Sequence, residues 1–168
     1  FNYYSKQLGH DYDHLGSLAS SGQTIMPLLE ELNSLNYYQI SGPKSLGLEW
    51  VVENFHETIK NYDNNVNDIL KTLVEHAAFQ ISETLNQYGN GQVLLSGGGV
   101  YNKFFIKILT QHSNSKFIIP SKSIVDYKEA LIFGFLGVLK LRNEINCMKS
   151  VTGASKSHST GKIYEIIK

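Results

Sequence analysis

The sequence predicts an α/β fold with extra helices, and two observations carry the reading. From 92 to 144, apolar runs of strand length alternate with stretches of helical periodicity, giving strand–helix–strand–helix. The first strand meets its helix through three consecutive glycines, Gly97, Gly98 and Gly99, and α/β sheets bind ligands beyond the carboxyl ends of their strands. Upstream of 90 the apolar positions recur at helical spacing, which supplies the extra helices.

The chain opens FNYYSKQLG, with Phe1, Tyr4 and Leu8 on one helical face and Gly9 placed to end the helix. No capping residue precedes Phe1, there is no initial Met, and no signal-peptide pattern is present. This reads as the C-terminal piece of something longer. Residues 9–22 are turn-rich and read as loop. His10 and His14 with Asp11 and Asp13 have the composition of a metal site, but Gly9 and Gly16 argue against the helix that would align the histidines. A short helix follows over 24–35, with Ile25, Leu28, Leu29, Leu32 and Leu35 aligned and Pro27 in its first turn. SGPKS at 41–45 is a turn. Leu48, Val51, Val52, Phe55, Ile59 and Tyr62 then mark an amphipathic helix. After NYDNN, 61–65, a longer stripe runs from Val66 through Leu70, Leu73, Val74 and Ala78 to Tyr88 and stops at Gly89.

Val93, Leu94 and Leu95 form a short apolar run read as a buried strand over 92–95, and Phe105, Ile108 and Leu109 share one face of a helix over 102–111. Glycine admits positive φ and close approach of a ligand, and a helix start behind it favours an anion. The stretch VLLSGGGVYN matches neither GxGxxG, since position 102 is Asn, nor GxxxxGK[ST]. On its own it serves equally as a tight structural turn. KFII, 116–119, is a second strand closed by Pro120. The order implies parallel pairing through a right-handed crossover. DYKEALIFGFLGVLKLRNE, 126–144, is a helix apolar on nearly every side at its middle, the pattern of a helix sandwiched between sheet and neighbours. The tail from Ser150 is rich in Ser, Thr and Gly and reads as a flexible terminus with a final strand at 162–167.

Composition limits the classes of function. The 168 residues suffice for a domain with a full core, and 42% hydrophobic content argues globular. Lys plus Arg and Asp plus Glu both number 15, so no global basic field attracts nucleic acid or an anionic membrane. No apolar run approaches the ~20 residues that cross a bilayer. Cys147 is the only cysteine, which excludes an intrachain disulfide and a CxxC site and fits a cytoplasmic setting.

Four stretches together resemble one family. GPKSLGLEWV at 42–51, VLLSGGGVYN at 93–102, DYKEALIFGFL at 126–136 and SVTGASKSHSTGKIY at 150–164 occur in the order seen in anhydro-N-acetylmuramic acid kinases. The opening, with YD at 12–13, Gly16, Ala19 and SG at 21–22, also looks like that family. The resemblance implies the C-terminal part of an actin-like, sugar-kinase (ribonuclease H-like) ATPase domain, with residues 1–168 the C-terminal nucleotide-binding part and an N-terminal domain outside this chain. It implies a kinase that uses ATP and Mg²⁺ to phosphorylate 1,6-anhydro-N-acetylmuramic acid at O6 as water opens the anhydro ring, in recycling of cell-wall sugars in a bacterial cytoplasm. A homodimer is also implied. Residue by residue, Gly97, Gly98 and Gly99 match the motif that receives the nucleotide. Asn102, at the helix start, is placed to cap it or to touch the nucleotide. Glu129 matches an acidic position facing the sugar; read from the residues alone, it lies in the first turn of its helix, where the dipole favours a carboxylate. Lys44 and Ser45 match the PKS phrase, and a polar helix entry accounts for both. The family's catalytic aspartate and its phosphate loop lie upstream of Phe1, so this chain alone is expected to be inactive. Two other readings compete: a non-catalytic nucleotide-binding or scaffold domain in the manner of actin or the Hsp70 chaperones, and a dinucleotide-binding oxidoreductase. The missing third glycine of GxGxxG speaks against the latter.

Overall fold

A computed structural model of the chain describes residues 1–41, 44–62 and 65–164. The long stripe forms the central helix. In α6, Val66–Asn86, Asn65 caps the start by accepting from Asp68 N at 3.0 Å. One face of α6 buries Ile69, Leu70, Leu73, Val74 and Ala78, as the periodicity requires. Around it pack α1, Asn2–Gln7, α2, Ser17–Ser21, α3, Met26–Asn33, and α7, Lys103–His112. Tyr4, Ala19, Leu28, Leu32, Ile59, Leu70, Ile108 and Leu109 all belong to one buried cluster. Each fully buried leucine contributes about 1.5–3 kcal/mol relative to exposure.

Polar contacts fix the register of the elements against α6. Gln23 N donates to Asp68 Oδ1 at 2.6 Å, and Ile25 N to Thr72 Oγ1 at 2.9 Å. On the other side Glu75 pairs with Lys71 at 3.5 Å and with His112 of α7 at 3.1 Å. The Lys71 ammonium lies 4.3 Å from the centre of the Phe104 ring.

The predicted loop 9–22 is partly helical. A 3-10 turn at His14–Gly16 leads into α2, because the Asp13 carboxylate accepts from Leu18 N at 2.8 Å and Ala19 N at 3.0 Å. The predicted helix over 48–62 is interrupted: α4, Leu48–Val51, and α5, Glu57–Lys60, flank a π-helical turn at Val52–His56. Gly42 and Pro43 of the SGPKS turn, and Asp63 and Asn64 of NYDNN, lie outside the described residues.

Strand β1, Gln92–Leu94, pairs in parallel with β2, Lys116–Ile118, in the register Val93 to Phe117. With α7 between them they form the β–α–β unit that the sequence predicts. The expected burial of the first strand is met on one face only. Successive side chains alternate between faces, so Val93 and Phe117 are half-buried while Leu94 and Ile118 on the other face are exposed.

The chain divides into two units, Phe1–Ser121 and the residues from Lys122 onward. In the second, α8 spans Lys122–Leu141 and α9 spans Lys149–Thr152. The expected bounds of 126–144 shift toward the N-terminus, since the helix starts directly after Pro120 and Ser121 and carries a Lys122–Asp126 pair in its first turns. Leu131, Phe133, Phe135 and Leu141 are 60–70% exposed. An all-round apolar composition calls for burial, but it does not say which chain supplies the cover. The tail is held rather than flexible up to Thr160: Cys147 and His158 exchange backbone hydrogen bonds at 3.0 and 2.9 Å, and Asn146 Oδ1 accepts from Thr160 N at 2.8 Å. Of the final strand expected at 162–167, residues 162–164 form no strand and 165–167 lie outside the described residues.

Candidate functional site: the glycine turn

Beyond the carboxyl end of β1 the backbone turns away from the sheet at Gly97. Its φ of 92° and ψ of 171° lie in a region that only glycine adopts without strain. Gly98 and Gly99 do not have positive φ, so the turn itself demands one glycine of the three. A Cβ added at Gly98 or Gly99 would meet nothing within 4 Å, and both residues are exposed. Their bare backbone faces open space, the property a phosphate or a sugar ring approaching the chain requires.

The glycines do not lead straight into the α-helix as expected. Gly98–Tyr101 forms a 3-10 turn, and Asn102 then caps α7, its Oδ1 accepting from Phe105 N at 2.9 Å. That cap occupies one donor of the α7 N-terminus, the Phe105 amide. Asn102 N also donates to Gly99 O at 3.1 Å, tying the turn to the cap residue. Val100 is buried and anchors the turn from beneath. Ser96 Oγ, directly before the turn, is buried and has no hydrogen-bond partner among the described residues, an unmet polar capacity at the site.

Glu129 lies in the second unit, in the interior of α8 and not in its first turn, because the helix begins at Lys122. Tyr127, with φ −110° and ψ 16°, interrupts the helical geometry just before it. The Glu129 side chain is exposed. Lys44 donates to the carbonyls of Tyr37 and Ile40 at 2.8 and 3.1 Å and lies over the Tyr37 ring, so it closes the 3-10 turn Asn36–Gln39. Ser45 is exposed.

In the histidine and aspartate cluster at 10–14, Asp13 has a structural role. Asp13 is spent on α2, and no group of three His, Cys, Asp or Glu side chains able to hold a metal occurs among the described residues. A separate apolar concavity of about 370 Å³ is lined by Tyr4, Tyr38, Phe55, His56 and His76. Its polar groups are committed to one another. His76 Nδ1 donates to Asn33 Oδ1 at 2.7 Å and Nε2 accepts from the Tyr38 hydroxyl at 2.7 Å, while His56 Nδ1 meets the Tyr4 hydroxyl at 3.3 Å. Burial pushes His76 down to about 4 and both tyrosines up to about 12, so all three stay neutral near pH 7. This is a core network, and periodicity had shown only the apolar stripe around it.

The chain is of the mixed α/β class, mostly helical, with an open glycine turn at the end of a parallel strand. The family profile described as Anhydro-N-acetylmuramic acid kinase matches residues 2–166, and the chain belongs to that family. It is 34% identical over 159 residues to the anhydro-N-acetylmuramic acid kinase of Sulfurovum sp. (strain NBC37-1), covering 91% of this chain and 43% of that protein. It is 30% identical to the kinase of the same name from Nitrosomonas europaea, covering 95% of this chain and 45% of that protein. For the Legionella pneumophila (strain Lens) relative the values are 33% identity, 97% and 46%. The chain thus spans somewhat less than half the length of these relatives. No helix among the described residues is long and apolar enough to cross a membrane.

Proposed function

We propose that the chain is the C-terminal part of an ATP-dependent kinase that converts 1,6-anhydro-N-acetylmuramic acid to N-acetylmuramic acid 6-phosphate, with an actin-like ATPase architecture completed by an N-terminal domain of the same protein. The observation that carries the reading is the open Gly97–Gly99 turn at the end of β1, in a chain that matches the kinase family over residues 2–166. Gly98 and Gly99 would present backbone to the nucleotide, Gly97 would hold the turn, and Asn102 would fix its far end. The unpartnered Ser96 Oγ and the side-chain-free face fit a nucleotide. The described residues offer no acidic cluster for Mg²⁺, so no step is assigned to this chain through the metal. Bound ATP supplies the phosphoryl group, and transfer depends on positioning the phosphates against the nucleophile. Glu129 is an exposed carboxylate that would accept hydrogen bonds from sugar hydroxyls. The exposed apolar side chains of α8 support the proposal of a longer protein, because they call for a covering surface that further chain would supply.

The test is turnover by the full-length protein with ATP and 1,6-anhydro-N-acetylmuramic acid, with the product identified by mass spectrometry. N-acetylmuramic acid 6-phosphate is expected from the whole protein, and none from the 168-residue chain alone. ATP binding without any sugar phosphorylation would favour a non-catalytic nucleotide-binding domain instead.

A further inference from the structure

We propose that Gly16 is a positioning residue for the nucleotide turn, acting through Asn102; the inference rests on the reading of Gly97–Gly99 as the nucleotide-facing turn. Gly16 is buried and left-handed, with φ 80° and ψ 24°, and Leu15 before it is left-handed as well, with φ 55°. The bend is rigid because the Asp13 carboxylate holds Leu18 N and Ala19 N, and Gly16 N donates to Asp13 O at 3.2 Å. The absent side chain of Gly16 faces the start of α7. A Cβ there would stand 2.2 Å from Asn102 Oδ1 and 2.5 Å from Phe104 Cβ, closer than side chains pack.

The first of those atoms is the cap oxygen that accepts from Phe105 N, and the same residue's backbone N donates to Gly99 O. Asn102 is therefore gripped by α7 through its side chain and by the glycine turn through its main chain. A methyl group at Gly16 displaces the cap, and the displacement reaches Gly99 through one hydrogen bond. Gly9 provides the matched control: it has the same φ of 80°, yet a Cβ there would meet nothing within 4 Å. Gly9→Ala carries the backbone strain of a left-handed alanine without the steric push.

The experiment is steady-state kinetics of the full-length kinase with Gly9→Ala, Gly16→Ala and Gly98→Val, varying ATP and sugar separately. Gly9→Ala is expected to leave both KM values within about twofold, whereas Gly16→Ala raises the ATP KM at least about tenfold with the sugar KM within about threefold. A folded Gly16→Ala enzyme whose ATP KM equals that of Gly9→Ala overturns the inference. If Gly16→Ala does not fold, Asn102→Ala decides, since it removes the cap for which Gly16 leaves room. The same ATP-specific rise supports the role, and an unchanged ATP KM overturns it. Gly98→Val separates the two levels. Weakened ATP use in Gly98→Val alone sinks only the role of Gly16, while normal ATP use in Gly98→Val sinks the nucleotide reading itself.

Discussion

Replacing Gly98 by valine separates a nucleotide-facing turn from a merely structural one. The residue lacks positive φ, is exposed, and would place its new Cβ more than 4 Å from any neighbour. The fold therefore has no steric reason to resist the change, and lower chain entropy in the unfolded state offsets part of any rotamer cost. Stability should move by no more than about 1 kcal/mol in either direction. Binding is different. The valine methyl groups occupy the open side of the turn, where a phosphate or the adenosine would approach the bare backbone. Losing one close contact face costs on the order of 2–3 kcal/mol, roughly a 30- to 150-fold weaker Kd for ATP. Calorimetric titration of ATP into the full-length protein, with a melting curve on the same sample, measures both quantities. Unchanged affinity in a well-folded Gly98→Val protein would refute the reasoning and leave the glycines as a turn alone.

Three further outcomes follow from the same geometry. Gly97→Ala forces alanine into φ 92°, ψ 171°, so denaturant unfolding should show a loss of about 1–3 kcal/mol that Gly98→Ala does not show. Glu129→Gln keeps shape and removes charge at an exposed site. Sugar kcat/KM should fall roughly 10- to 100-fold, as for loss of a charge-assisted hydrogen bond, with ATP affinity and melting temperature unchanged; a lowered melting temperature with intact sugar kinetics would make Glu129 structural. The pH dependence of stability should carry the signature of His76. Its folded pKa of about 4 lies below the free value of 6.5, so between those values the unfolded chain binds a proton that the folded chain refuses. The neutral ring's contribution of about 3 kcal/mol is complete above pH ~6.5 and is lost as pH falls toward ~4. Denaturant midpoints at pH 7 and 4.5 should diverge less in His76→Gln than in the wild type, and parallel behaviour would place the cost elsewhere.

Local pattern made much of this fold legible. The stripe from Val66 to Ala78 named the buried face of α6, Ile108 and Leu109 named that of α7, and the alternation of runs gave the parallel pair. The capping role of Asn102 followed from its place at a helix start. What was missed depends on contacts between distant segments. Nothing in the spacing of residues 9–22 says that Gly16 lies against Asn102, or that Asp13 spends its carboxylate on α2 rather than on a metal. The part-buried Asn33–His76–Tyr38 network was hidden because its members look like solvated polar positions until three helical segments converge. Periodicity also gave too much burial to β1, since it reports that a face is apolar and not what covers it. For Glu129 the error was one of boundary: the helix was expected from 126, and it starts at Lys122.

The most direct measurement of the central claim is amide hydrogen exchange of the full-length protein with and without a saturating non-hydrolysable ATP analogue. Slowed exchange is expected across Gly97–Asn102, with Gly98→Val abolishing the protection. Firm nucleotide binding that protects other segments while this turn exchanges as before would contradict it.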